Sequence, residues 1–166
     1  MTITAKDEYQ ASFDQVYQLL TDQAFLKQKY QEGVGSRNIV FEECKQDGEV
    51  FRIRWSREVP ADPPSFAKAF LSAWNHLTEV MEWRDDKTGG GGKEALYRGK
   101  IKRVPITIYG EFHLKPAGNG CVENIEMEAE VSIPLVGGKI AELVEKDAKK
   151  NLMGEYNFTR KYLKES

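Results

Sequence analysis

Apolar residues recur along the chain with two different periods, and the switches between them mark its elements. Residues 3–9 alternate apolar and polar positions, the period of a strand. Ser12, with Gln15 three positions later, has capping-box spacing ahead of Val16, Leu19 and Leu20, so a helix starts there. A second short amphipathic segment runs from Ala24 to Tyr30 and stops at the glycines of Glu32-Gly33-Val34-Gly35. From residue 37 the period is two again. Ile39 and Phe41 alternate with Glu42, and beyond the hairpin signal Asp47-Gly48, Phe51, Ile53 and Trp55 alternate with Arg52, Arg54 and Ser56. The three prolines in Val59-Pro60-Ala61-Asp62-Pro63-Pro64 remove three backbone donors, so this stretch reads as a rim connection, with a helical turn within Ser65–Leu71.

Strands follow over Ala73–Trp83, 94–103, Ile106–Lys115 and Val122–Ile133. They are separated by the Asp85–Gly92 turn, by Val104-Pro105 and by Ala117-Gly118-Asn119-Gly120. After Pro134, Gly137-Gly138 open a helix to Leu163 whose stripe is Ile140, Val144, Ala148, Leu152, Tyr156 and Leu163. Glu142 with Lys146 and Glu145 with Lys149 fall on its wet face as i,i+4 pairs. The order is therefore strand, two short helices, six antiparallel strands and one long C-terminal helix: an α+β chain in which that helix must cover one face of a seven-stranded sheet.

Composition narrows the function classes. At 166 residues the chain has the size of one domain, 1–166, and folds without disulfide or metal staples. Its 24 basic and 26 acidic residues give a net charge of −2, which argues against a nucleic-acid partner. Cys44 and Cys121 form no CxxC motif and read as reduced thiols. The polar start Met1-Thr2-Ile3-Thr4-Ala5-Lys6-Asp7 lacks the form of a signal peptide, and no apolar run approaches a membrane span, so a cytoplasmic location is expected. The sequence holds no HExxH, GxSxG, Walker-type loop or GxGxxG, and no metal or cofactor is expected. His76 and His113 fall in the outward register. One outer strand is basic, with Arg98, Lys100, Lys102 and Arg103, and one is acidic, with Glu126, Glu128 and Glu130. These read as a solvated face with cross-strand attraction; the alternative is transient contact with an anionic membrane surface or a protein.

In its element order, from Thr2 to Leu163, the chain resembles the START-like, or helix-grip, superfamily of pollen-allergen-like proteins, polyketide cyclases and lipid-transfer domains. Locally, Arg57-Glu58-Val59-Pro60, Tyr109-Gly110-Glu111-Phe112 and Ile133-Pro134-Leu135-Val136-Gly137-Gly138-Lys139-Ile140 resemble a bacterial subfamily known only as a domain of unknown function. The resemblance implies a curved sheet gripping the long helix, with an internal cavity for a lipid, sterol, polyketide or quinone. A cyclase- or aromatase-like enzyme and a co-chaperone-like interaction module without ligand are the alternatives, and the chain is expected as a monomer or weak dimer.

The inward register then nominates the cavity wall. Trp55, Met81, Trp83, Tyr97, Phe112 and Met127 are the large or adaptable residues facing the helix. Gly99 and Gly110, in the inward register of neighbouring strands joined by a short turn, either open space or serve sheet curvature and helix approach. Two polar residues break the apolar register: Arg57 continues the Phe51, Ile53, Trp55 series, and Glu79 lies between Leu77 and Met81. A partly buried ion pair at the polar end of a pocket accounts for both; the bland alternative leaves Arg57 solvated past the strand end. On the helix, Asn151 and Glu155 stand one turn apart and complete the candidate set. No catalytic residue is nominated, and Glu79, Glu155 and Tyr97 are the acid–base candidates that an enzyme would have to use.

Overall fold

The computed structural model describes residues 2–165, so Met1 of the N-terminal segment and Ser166 of the expected 1–166 domain lie outside the described residues. Strand β1 (Thr2–Tyr9) leads into α1 (Phe13–Leu20) and α2 (Gln23–Gln28), then β2 (Arg37–Asp47), β3 (Val50–Pro60), β4 (Trp74–Asp85), β5 (Lys93–Ile101), β6 (Ile106–Ala117), β7 (Gly120–Val131) and α3 (Gly137–Glu165). The seven strands form one antiparallel sheet in the order β1-β7-β6-β5-β4-β3-β2. Consecutive strands from β2 to β7 are neighbours, and β1 closes the far side against β7. This is the curved sheet and long covering helix of the START-like fold. Among the described residues no helix is long and apolar enough to cross a membrane.

Local chemistry sets the boundaries. The Ser12 hydroxyl accepts from the Gln15 N–H at 3.1 Å and starts α1, and the Asp22 carboxylate accepts from the Phe25 N–H at 3.1 Å and starts α2. The amphipathic segment expected to run as helix to Tyr30 instead leaves α2 at Gln28 and widens into a π-helical turn, Lys29–Val34. Gly35 ends this turn at φ +80°, a conformation that favours glycine. Strand β3 runs further than expected, to Pro60, where a residue without an N–H is tolerated because it is the last of the strand. The final strand covers Gly120–Val131 rather than Val122–Ile133.

Two surface expectations are corrected. The basic strand β5 and the acidic strand β7 are not neighbours, because β6 lies between them, with Tyr109 set between Arg98 and Glu128. Cross-strand attraction sits elsewhere, in Arg52, which donates to Glu82 at 2.8 Å and Asp47 at 2.7 Å. Glu145 is not on the wet face of α3: it is 2% exposed, and its carboxylate accepts the Ala129 N–H at 3.0 Å, tying the helix to β7.

Helix α3 packs against the π turn, β7 and β1, with Ile140, Val144 and Leu152 buried in the common core. The approach to the π turn is a glycine-on-glycine contact. A Cβ on Gly154 would press into the carbonyl oxygen of Gly33, well inside contact distance, and one on Gly33 would lie 3.0 Å from the Gly154 oxygen. Elsewhere in a helix, Gly to Ala gains about 1 kcal/mol. Here the obstruction is backbone, which cannot swing aside. Gly154→Ala is therefore expected to destabilise the chain by about 1–3 kcal/mol in urea unfolding; a gain in stability would show that the helix does not approach the turn this closely.

Candidate functional site

Strand alternation turns Ile53, Trp55 and Arg57 of β3 and Leu77, Glu79 and Met81 of β4 toward α3. The register places Trp55 opposite Glu79 and Arg57 opposite Leu77, so the Arg57 side chain reaches diagonally along the sheet to Glu79. The contact is bidentate: Arg57 Nε donates to Glu79 Oε2 at 2.8 Å and Nη2 donates to Oε1 at 2.9 Å. Arg57 is 5% exposed and Glu79 1%. Of the two readings the sequence allowed for Arg57, the ion pair is the one the fold adopts.

Such a pair is tolerable in the interior only when its remaining donors and acceptors are used. Arg57 Nη1 donates to the Ser36 hydroxyl at 3.2 Å, and the Tyr97 hydroxyl donates to Glu79 Oε1 at 2.7 Å. The guanidinium carbon lies 4.0 Å from the centre of the Tyr30 ring, which stacks on Trp55 with centroids 5.7 Å apart and planes 10° from parallel. Burial works to lower the Arg57 pKa, but the Glu79 charge and its hydrogen bonds outweigh it, and the guanidinium stays charged. Burial, then the Glu79 charge, raises the Tyr97 hydroxyl well above its ordinary value, so it remains a donor.

Neither inward glycine opens a cavity, and Gly99 serves this network. Gly99 pairs directly with Glu79, and a Cβ there would lie 2.5 Å from the Tyr97 hydroxyl, which occupies the vacated space on its way to Glu79. The space over Gly110 is taken by Phe112 and Met127, whose atoms would lie 3.2 and 3.3 Å from an added Cβ.

A second polar group sits at the opposite side of the interior. Asp7 of β1 and Glu123 of β7 are direct cross-strand partners in the inward register, 7% and 5% exposed. Among the described residues neither carboxyl has a hydrogen bond or an ion pair. Nearby, Lys29 of the π turn pairs with Glu155 of α3 at 3.4 Å. Burial, then Glu155, raises Asp7 to a pKa of about 7. Burial, then Asp7, raises Glu123 to about 8. The usual carboxyl value is near 4.

Between these groups lies a chamber of about 60 Å³, and beyond it, toward the 61–73 connection, a cavity of about 90 Å³. Arg57, Tyr97, Met127, Leu152 and Glu155 border both and form the partition. Of the residues nominated from sequence, Trp55, Arg57, Glu79, Met81, Trp83, Tyr97, Phe112, Met127 and Glu155 line the chamber. Asn151 lines only the outer cavity, and Gly99 and Gly110 line neither. Sequence reasoning missed Asp7, Tyr9, Lys29, Tyr30, Glu123 and Tyr156, all on the chamber wall. The signal for two of them was present: Asp7 continues Ile3 and Ala5, and Glu123 precedes Ile125 and Met127, each a polar break in an inward register like Arg57 and Glu79. An acid–base role would fall to Asp7 and Glu123 more readily than to Glu79 and Tyr97, which are locked in hydrogen bonds.

Comparisons with known proteins support the fold. A START superfamily protein from Mycobacterium smegmatis has a TM-score of 0.58 at 12% identity, covering 98% of each chain. A STAR-related lipid transfer protein from Xanthomonas axonopodis has a TM-score of 0.59 at 16% identity, covering 96% of this chain and 85% of that one. A protein of Thermus thermophilus has a TM-score of 0.58 at 17% identity, covering 95% of each. No curated protein matches the chain. Residues 4–163 match the family described as "Protein of unknown function (DUF2505)".

Two measurements test the site. Arg57→Met leaves Glu79 buried and unpaired and is expected to cost about 3–5 kcal/mol, most of it recovered by adding Glu79→Leu. A double variant no more stable than Arg57→Met would show that the pair is not coupled. The second concerns pH. Because Asp7 and Glu123 hold protons more tightly folded than unfolded, their contribution to stability is complete below about pH 4 and is lost as pH rises through about 7 and 8. The melting temperature should therefore fall between pH 5 and pH 8.5, and Asp7→Asn with Glu123→Gln should flatten that slope; a wild-type melting temperature that is level or rising over this range contradicts the assignment.

Proposed function

Because the chain belongs to the DUF2505 family and carries the START-like fold, we propose that it binds a hydrophobic small molecule, of the lipid, sterol, polyketide or quinone class, between the sheet and α3. The observation that carries this reading is the pair of adjoining cavities separated only by side chains. The outer one is walled largely by apolar residues, Val59, Leu71, Leu77, Ile101, Ile108 and Val144 among them, with Arg57 and Glu155 at its inner end and Asn75, Asp147 and Asn151 also on its wall. An apolar wall with a few convergent polar groups is the usual makeup of a small-molecule site. The Xanthomonas protein with this fold is named a lipid transfer protein, which supports the same class.

Size constrains the mechanism. Small-molecule pockets run to roughly 300–1,000 Å³, whereas the two spaces here are about 60 and 90 Å³. A compact ligand enters by displacing the partition at Met127 and Leu152. A full lipid requires α3 to part from the 61–73 connection, and the apolar area it buries supplies the driving force, roughly 25 cal/mol per Å². The reading takes the chain as one START-like domain acting in the cytoplasm, with binding rather than turnover as its task.

The test is native mass spectrometry of the purified protein followed by organic extraction. The wild type should carry a removable apolar molecule, and Ala148→Phe, which fills the outer cavity beside Leu152, should lose it while keeping its melting temperature within a few degrees. A wild type without adduct that also shows no chemical-shift change with octanol would overturn the proposal.

A further inference from the structure

The chamber end of this interior differs from the partition in one respect: two of its carboxyls have no partner among the described residues. Around the Arg57–Glu79 pair the charged atoms are used in hydrogen bonds. The carboxyls of Asp7 and Glu123 lie more than nine-tenths buried and side by side across β1 and β7. They line the chamber without a hydrogen bond or ion pair among the described residues. Leaving buried carboxyls without a hydrogen-bond partner is costly, and the Lys29 charge offsets it only in part. The charged groups that face them are few. Lys29, from the π turn, is 3.4 Å from Glu155 of α3 and is engaged there. The Tyr156 hydroxyl is held by the backbone of Glu8, donating to its carbonyl at 2.7 Å. Tyr9, Tyr30, Thr159, Arg57 and Glu79 also belong to the polar wall, as do Trp55 and Trp83, whose buried indole N–H groups have no acceptor among the described residues. Apart from the Arg57–Glu79 pair, three carboxyls thus face one amine that already has a partner.

A guest that completes this wall must donate hydrogen bonds and bring positive charge. We propose that the chamber is a subsite for a primary ammonium group, so that the ligand of the site described above is an apolar molecule with a cationic amine at its buried end. This deepens the binding reading and rests on it. An ammonium offers three donors and one charge, matching two open carboxyls and the spare negative charge beside the Lys29–Glu155 pair. A carboxylate head would add a fourth negative group, and a neutral hydroxyl would bring one donor and no charge. About 60 Å³ admits such a head group and no ring, so the apolar part points through the partition into the outer cavity. Protons and ammonium compete for the same carboxyls: where these are protonated, binding releases protons, and affinity rises with pH until they are ionised, while the amine itself stays charged up to about pH 10.

The test compares octylamine, octanol and octanoate with the full chain by isothermal titration calorimetry at pH 5.5 and pH 8.5. Octylamine should bind at least roughly tenfold more tightly than octanol at pH 8.5. That preference should shrink at pH 5.5, and octanoate should bind least. Asp7→Asn with Glu123→Gln keeps the shapes of both side chains and removes their charge. It should abolish the preference for octylamine and the pH dependence while octanol binding stays within about twofold of wild type. Octanol or octanoate binding as tightly as octylamine, or a double variant that keeps the preference, overturns the ammonium subsite and leaves the apolar site standing. No binding of any of the three overturns both.

Discussion

Burying a guanidinium with a carboxylate strips several kcal/mol of hydration from each ion, and the attraction between them offsets that only where every remaining donor and acceptor is used. That condition on Arg57 and Glu79 organises the interior. It requires the Ser36 hydroxyl after the π turn, the Tyr97 hydroxyl on β5, and a glycine at position 99 so that the phenol can lie down on Glu79. It also fixes Tyr30, whose ring sits under the guanidinium and on Trp55. The partition between chamber and outer cavity is tied by hydrogen bonds on its Arg57–Tyr97 side and is apolar on its Met127–Leu152 side, where methionine is the more adaptable side chain.

The contrast between the two ends of the chamber follows from sheet order. Because β1 returns to the edge of β7, the N-terminal strand brings Asp7 opposite Glu123. Both sit beneath α3, which supplies Glu155, and beside the π turn, which supplies Lys29. Four elements distant in sequence thus place three acids and one base around a single space. Burial first, and the neighbouring acid second, push the Asp7 and Glu123 carboxyls up, so both favour the protonated form.

Helix position is the remaining constraint. The glycine contact between Gly33 and Gly154 sets how closely α3 approaches the π turn. The Glu145 carboxylate pins its first half to β7, and Tyr156 pins its second half to β1 through the backbone of Glu8. The helix is therefore fastened along the β1–β7 side and less so toward the 61–73 connection, so any widening of the interior is expected on that side.

Much of this was legible in the chain. Period-two runs, turn residues and capping residues located the strands and helices to within a few positions. The rule that an inward polar residue needs a partner identified Arg57 and Glu79, and local contrast within one strand is enough for that. The same rule applied to Ile3, Ala5, Asp7 and to Glu123, Ile125, Met127 marks the second polar group. Pairing was not legible. Sequence alone determined the elements, their inward faces and the polar breaks in them, because those depend on neighbours two to four positions away. Only the tertiary structure decided that Asp7 meets Glu123, that Tyr97 fills the place of a Gly99 side chain, that β6 parts the basic strand from the acidic one, and that Glu145 turns inward. Each depends on strand order and close packing between residues far apart in the chain, where a few tenths of an ångström and the loss of water decide which contacts form.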